Sequence, residues 1–353
     1  MNFASDNAGG ASPEILRALV GANSGHEPAY GADAFSLQAQ EALSRLFERD
    51  CAVFLVTTGT AANALALAAL TPPWGAVLCH EDAHINDDEC GAPEFFTAGA
   101  KLIGLKGAQG KITATALEDA LAAYPRGLVK QVQPAALSLS QATECGTLYA
   151  LDELNALTAI ARAAGLQVHM DGARFANAIE TLGCTPAEAS WKAGVDVLSL
   201  GATKNGALAC EAVIVFDPAR ATDLPFRRKR AGHTLSKGRF LGVQMVAWLE
   251  NGHWRALARH ANFMADRLAT GLADIPGVRV PWPRQVNEVF TILPGGIDRA
   301  LRAAGARYYD WGARGLTALE APGADEVFVR LVTSFATTRA DVDQFLKIAR
   351  AMA

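Results

Sequence analysis

The chain contains no C-x-x-C pair: its six cysteines, Cys51, Cys79, Cys90, Cys145, Cys184 and Cys210, stand far apart. That spacing excludes a zinc ribbon and a small disulfide-stapled scaffold. Basic residues are not in excess either. The formal charge is −4, which speaks against a nucleic-acid or anionic-membrane partner. No apolar run approaches the roughly 20 residues that span a bilayer. Residues 1–6, MNFASD, lack the basic region and apolar core of a signal peptide. A soluble cytoplasmic protein is the expectation. Two phosphate-binding signatures are also missing: no G-x-x-x-x-G-K-[ST] occurs, and no G-x-G-x-x-G follows a strand-like run.

What is present is a rhythm. Of 353 residues, 50% are apolar, enough for one large domain and a smaller one. CAVFLVT, AVLC, AKLIGL, LVKQVQPAALSLS, LQVHMDGA, VDVLSLGAT and EAVIVF read as strands. Between them lie helical segments such as TGTAANALALAAL, TATALEDALAAY and LDELNALTAIARAAG. Ser12 before Pro13 marks an earlier helix start. Strands alternating with helices predict an α/β fold with a mostly parallel, doubly covered sheet. From about residue 240 the pattern changes to a long helical stretch, FLGVQ to LADI. A strand-helix-strand-strand-helix set follows, as in a small C-terminal α/β domain. The expected division is an arm at 1–20, a large domain at 21–245 and a small one at 246–353.

The segment CHEDAHIND at 79–87 matches H-E-x-x-H through His80, Glu81 and His84. A zinc hydrolase would need both histidines on one helical face. His80 instead follows a strand-like run, and no spacing singles out a third ligand. No metal site is assigned on this reading. Loop histidines at the carboxyl end of a strand remain, at the edge where open α/β sheets bind ligands.

Three other strand ends carry chemistry. TTGTAAN, 57–63, opens a helix whose first amides suit a phosphate, with Gly59 and Thr60 at the turn. VHMDGAR, 168–174, places Asp171 after an apolar run and Arg174 just beyond it. An acid there is costly to bury without a cationic partner. LSLGATKNG, 198–206, ends in Lys204, a lysine suited to condense with an aldehyde. Each feature alone fits an ordinary turn, cap or loop. Together they match one cofactor, pyridoxal 5'-phosphate (PLP), which requires a phosphate cradle, a lysine, a carboxylate for its ring nitrogen and a ring to stack on. His84 suits the last role.

With these residues in place, the chain resembles the low-specificity threonine aldolase family of fold-type-I PLP enzymes, grouped with the β-eliminating lyases. ASDN (4–7), AYGAD (29–33), TTGTAAN, AHIN (83–86), VHMDGAR, GATKNG (201–206) and VRLVTS (329–334) carry the resemblance. It implies a lyase that cleaves β-hydroxy-α-amino acids, such as L-threonine, L-allo-threonine or phenylserine, to glycine and an aldehyde. Lys204, His84 and Asp171 would be catalytic. Gly59, Thr60, His84, Asp171, Lys204 and Arg230 would hold the cofactor. Ser5, Tyr30, Arg174, Arg330 and Thr143 would meet the substrate. Tyr30 and the basic stretch around Arg230 match segments that reach a neighbouring subunit's site, so a homodimer or homotetramer is implied. In one departure, Thr143 stands where many members carry a second histidine, leaving that histidine's role to Thr143, Glu144, His84 or a water; His84, directly or through water, is the expected base, ahead of Glu144. His233 is a further candidate from the partner side. A β-eliminating lyase or an aminotransferase would share the same cofactor residues.

Overall fold

The short apolar runs become strands because their side chains are buried on both faces of a covered sheet. In the computed structural model, which describes residues 1–353, seven of them form one sheet. They are β1 (Ala52–Val56), β2 (Gly75–His80), β3 (Lys101–Leu105), β4 (Gln133–Ser140), β5 (Gln167–Gly172), β6 (Val197–Gly201) and β7 (Glu211–Val215). Their spatial order is β1-β7-β6-β5-β4-β2-β3. Every pairing is parallel except those of β7, which runs against both β1 and β6. This is the mostly parallel α/β sheet that the alternation of strands and helices predicts. The reversal of β7 brings its first residue, Glu211, level with Val56 and Gly201, which end β1 and β6.

Several helices begin where the sequence offers a cap. The Ser12 hydroxyl accepts from the Ile15 amide at 3.4 Å before Pro13–Gly21. Thr58 accepts from Ala61 at 3.1 Å before Gly59–Leu70. That second helix is buried without a break from Ala61 to Ala68, because it is apolar on all sides and lies within the fold. The large core fills the space between the sheet and its helices with residues such as Leu137, Met170, Leu198, Ile214 and Trp248. Burying each such side chain contributes about 1.5–3 kcal/mol.

The long helical stretch after residue 240 divides into Arg239–Leu249 and His253–Ala273. Asn251 (φ 53°) and Gly252 (φ 68°) take up left-handed backbone at the break, a conformation these two residue types tolerate best. A second, antiparallel sheet has the order β8 (Glu288–Pro294), β10 (Glu326–Val332), β9 (Tyr309–Asp310). The segment RYYDWG supplies only the two residues of β9 to it. A separate core lies under this sheet, and Phe3 belongs to it, edge-on to Phe345 at 5.2 Å. Phe3 is pinned by backbone bonds to Arg307 and Val332, both 2.8 Å. No helix is long and apolar enough to cross a membrane.

Candidate active site

A cavity of about 440 Å³ opens where the parallel strands end and β7 begins. At one wall, residues 57–60 lead from β1 into the helix Gly59–Leu70. The first amides of a helix have no partner within it and carry the positive end of its dipole. Gly59 lines this wall with ordinary backbone, and a Cβ built there would meet no atom within 4 Å. Its lack of a side chain therefore leaves room in front of the amides. The turn itself does not require glycine.

Asp171, on β5, is buried at the cavity. Its Oδ1 accepts from the Ala173 amide at 3.0 Å and its Oδ2 from Asn63 Nδ2 at 2.8 Å. The same Asn63 amide group donates to Glu89 Oε1 at 2.8 Å, and that oxygen lies 2.8 Å from His84 Nδ1. Asp171, Asn63, Glu89 and His84 thus form one hydrogen-bonded chain along the cavity. The bond to Glu89 raises the His84 imidazole above its usual range. Burial opposes this shift, and the charges of Asp171 and Glu89 add to it. Behind Asp171, His169 bridges the Ser138 and Ser199 hydroxyls at 2.9 Å each, and burial pushes it down to about 4.

Glu144 joins the cavity from the loop after β4. Its Oε1 accepts from the His84 amide and the Ser140 hydroxyl, both at 2.9 Å. Burial, with the negative charge of Asp171, pushes its carboxyl up to about 7. Thr143, expected at the substrate, does not reach the cavity. It is fully buried, and its hydroxyl is spent on Thr147 Oγ1 at 2.8 Å and Gln109 O at 3.1 Å. The loop turns the neighbouring carboxylate inward in its place.

Arg174 also lines the cavity. Its Nε donates to Asp6 Oδ2 at 2.8 Å, one terminal nitrogen donates to Asp6 Oδ1 at 3.2 Å, and the other is 3.3 Å from Glu288 Oε2. Burial works against its charge, but the two carboxylates overcome this and hold the guanidinium above its ordinary value. Burial likewise opposes ionisation of Asp6, yet Arg174 and Lys204 hold its carboxyl below the usual range. Arg330, on β10, lies behind Arg174, 3.7 Å from Glu288 Oε1 and stacked over Trp311 at 4.5 Å. Lys204 stands at the cavity in the turn Thr203–Asn205. Its charge reaches Asp6, Glu211 and Glu288.

The structure therefore gathers Gly59, Thr60, His84, Asp171, Arg174 and Lys204 around one space. Ser5 sits outside it, in an adjoining hollow that shares Asn7 with the cavity. Tyr30 is 57% exposed, with Lys229 Nζ over its ring at 4.7 Å. Arg230 borders a separate apolar groove, and His233 lies beside Phe96 of that groove. The H-E-x-x-H match does not converge on a metal. His80 Nδ1 accepts from the Asp82 amide at 3.1 Å, so its Nε2 donates to Gly107 O at 3.1 Å. No lone pair of His80 is left to bind zinc.

Several residues at or behind the cavity were not singled out in the sequence reading. Asn63 and Glu89 bridge Asp171 to His84, Asp6 and Glu288 flank Arg174 from outside the lining, and Glu211 lines the cavity with Lys204. A usable clue existed for Glu211 and Glu288: each is an acid that opens an apolar strand, EAVIV and EVFTIL. Such a carboxylate is buried at a strand end, where a partner or a ligand must answer it.

Comparison with known proteins shows the family and the fold. A family model described as beta-eliminating lyase matches residues 2–294. A low specificity L-threonine aldolase of Pseudomonas aeruginosa is 48% identical over 307 residues, 87% of this chain and 88% of that protein. The low specificity L-threonine aldolase of a second Pseudomonas strain is 46% identical over the same shares. Among solved structures, a threonine aldolase of Leishmania major superposes with a TM-score of 0.92 at 29% identity, covering 100% of this chain and 99% of that one. A serine palmitoyltransferase of Sphingomonas wittichii, at 15% identity and a TM-score of 0.72 over 100% and 86% of the two chains, shares the fold alone.

Proposed function

The chain belongs to the beta-eliminating lyase family, and from that membership we propose that it is a PLP-dependent carbon–carbon lyase. Its reaction is the cleavage of L-threonine, L-allo-threonine or a related β-hydroxy-α-amino acid such as phenylserine to glycine and an aldehyde. The observation that carries this reading is the meeting of Lys204, Asp171, His84 and the residue 57–60 turn in one cavity.

The residues fit the cofactor. Asn63 Oδ1, Glu89 Oε2 and Glu144 Oε2 are buried oxygens without partners, and all three residues line the cavity. Such unanswered polar atoms suit a ligand that brings donors. Gly59 and Thr60 would take the phosphate, Lys204 the aldehyde, Asp171 the ring N–H, and His84 the ring face. Bound there, PLP supplies the electron sink for the bonding pair released as Cα–Cβ breaks.

The chain's own residues do the rest. Arg174, backed by Asp6 and Glu288, grips the α-carboxylate through a charge-assisted fork, with Arg330 and Ser5 completing that subsite. A fixed carboxylate sets the rotation about Cα and so selects the bond that breaks. His84 takes the β-hydroxyl proton, and the Glu89 bond to Nδ1 orients its ring and raises its basicity. Glu144 is the second proton acceptor in reach. Tyr30 and Arg230 serve a neighbouring copy's cofactor in a cytoplasmic dimer or tetramer. In support, Phe95 and Phe226 are each 77% exposed at a groove of about 560 Å³ beside Arg230. The division into an arm at 1–20, a large body at 21–245 and a small one at 246–353 belongs to the same reading; two separate cores support two bodies, the larger core reaching past residue 245 to Trp248, Trp254 and Ala258.

The test is product analysis with the purified protein. Threonine should yield glycine and acetaldehyde in equal amounts, and Lys204→Ala should abolish both the turnover and the visible absorption. 2-Oxobutyrate with ammonia as the products would replace this reading with β-elimination. Accumulation of pyridoxamine phosphate would replace it with transamination.

A further inference from the structure

Glu211 is given no role by the reaction above, yet it occupies a place few carboxylates would tolerate. It opens β7 and is flanked in the sheet by Val56 and Gly201. It is 7% exposed and lines the cavity together with Thr57, Thr58, Gly59 and Thr60. The Ala202 amide donates to its Oε2 at 3.1 Å, which fixes the carboxyl beside the turn that carries Lys204.

Its surroundings contain little to balance a negative charge. From the β6–β7 turn, Thr203 and the Ala202 amide offer neutral hydrogen bonds, and Lys204 is the charged group that acts on it. The Cys210 thiol beside it is pushed up by burial, and the Glu211 charge adds to that shift. From the other side come the β1 end and the start of the helix Gly59–Leu70, whose residues 57–60 bear no charged side chain. Burial pushes Glu211 up to about 7 against the lowering influence of Thr203 and Lys204.

A phosphate monoester carries close to two negative charges at neutral pH. Placed on the residue 57–60 turn, it would share this small cavity with Glu211. A carboxylate there repels the phosphate, whereas a carboxylic acid is a hydrogen-bond donor. We propose that Glu211 is the proton-carrying donor of the phosphate pocket, neutral when a phosphate monoester is bound, so that in mildly alkaline solution cofactor binding takes up one proton. This rests on the reading of the cavity as a PLP site.

The sign of the effect follows from linkage. Well below pH 7 Glu211 holds its proton with or without phosphate, and affinity does not depend on it. As pH rises above 7 the free protein loses that proton while the loaded protein keeps it. Affinity then falls by about tenfold per pH unit, until the loaded form also deprotonates.

The experiment compares PLP with pyridoxal, the same aldehyde without its phosphate. Each is titrated into cofactor-depleted wild-type protein between pH 7 and 9, and visible absorption reports binding. Condensation with Lys204 is common to both ligands, so its pH dependence cancels in the ratio of dissociation constants. The phosphate's own second ionisation, near pH 6, lies below the window. The preference for PLP over pyridoxal should fall by about tenfold per pH unit in the wild type. In Glu211→Gln, whose amide donates at every pH, it should stay flat. A flat wild-type ratio, or the same slope in Glu211→Gln, overturns the proposal. Should Glu211→Gln fail to fold, the wild-type slope still decides. If neither aldehyde forms a visible band with the wild type, the cofactor reading fails and the proposal fails with it. If both bind with parallel pH curves, the proposal alone fails.

Discussion

Glu89 Oε1 lies 2.8 Å from His84 Nδ1, and the Glu89 side chain is wholly buried while the ring is partly open to the cavity. The carboxylate thus acts as a fixed anchor, and the imidazole presents its other nitrogen outward. Glu89→Gln should leave the ring in place but remove the charge that raises its basicity. The acidic limb of the kcat pH profile should move to lower pH, because a base with a lower pKa becomes available earlier. His84→Asn should cost about 10²–10⁴-fold in kcat, and Glu89→Gln less. A profile unmoved by Glu89→Gln would remove His84 from the role of base.

Glu144 bears on stability as well as chemistry. Its folded-state carboxyl is raised by burial to about 7, so its contribution to stability is full below the unfolded carboxyl's pKa and is lost as pH rises through the folded one. Glu144→Gln should flatten the dependence of Tm on pH between about 4.3 and 7. Thermal melts across that window, on both proteins, measure the difference.

The Asp6–Arg174 pair should couple folding to substrate grip. Asp6→Ala leaves Arg174 buried with only Glu288 to answer it, and breaking one side of a buried pair costs about 3–5 kcal/mol. Denaturant melts should show that loss. Asp6 is held below the usual carboxylate range. Its stabilisation is therefore present above the unfolded pKa and lost as pH falls through the folded one, so the wild type should lose this advantage only in acid. Arg174→Lys should raise KM for threonine by roughly 10- to 100-fold, the loss of a charge-assisted bond of about 1.5–3 kcal/mol.

Thr143 should behave as a structural residue. Thr143→Ala removes the bonds to Thr147 and Gln109 and should cost about 1–3 kcal/mol of stability, while KM and kcat stay within about twofold of wild type. A large rise in KM with an unchanged Tm would return it to the substrate subsite.

Lys204, Asp171 and the Thr58–Gly59 turn were legible because each follows a strand whose apolar run is visible in one window of sequence. The chain from Asp171 through Asn63 to Glu89 was not, since Asn63 lies within a helix that reads as pure core. Its partners are also distant in sequence, 108 residues away for Asp171 and 26 for Glu89. Glu211 was hidden for another reason. A strand's first residue faces the ligand edge only if the strand is reversed, and direction is a property of long-range pairing. The choice between Thr143 and Glu144 turned on a single residue of loop, where no alternation of faces tells inward from outward. The break at Asn251 and Gly252 escaped notice because the apolar stripe resumes directly after it.

Phe3 and Asp6 are three residues apart, yet they serve different bodies of the molecule. Phe3 is clamped by Arg307 and Val332 in the small one, while Asp6 holds Arg174 at the edge of the large sheet. The short segment between them works as a tether of fixed length. Any rotation of the small body that carries Phe3 along must pull on Asp6, and through it on Arg174. Arg330 rides on the same small body. A tether of this kind ties the position of Arg174 to that of the sheet on which Arg330 sits.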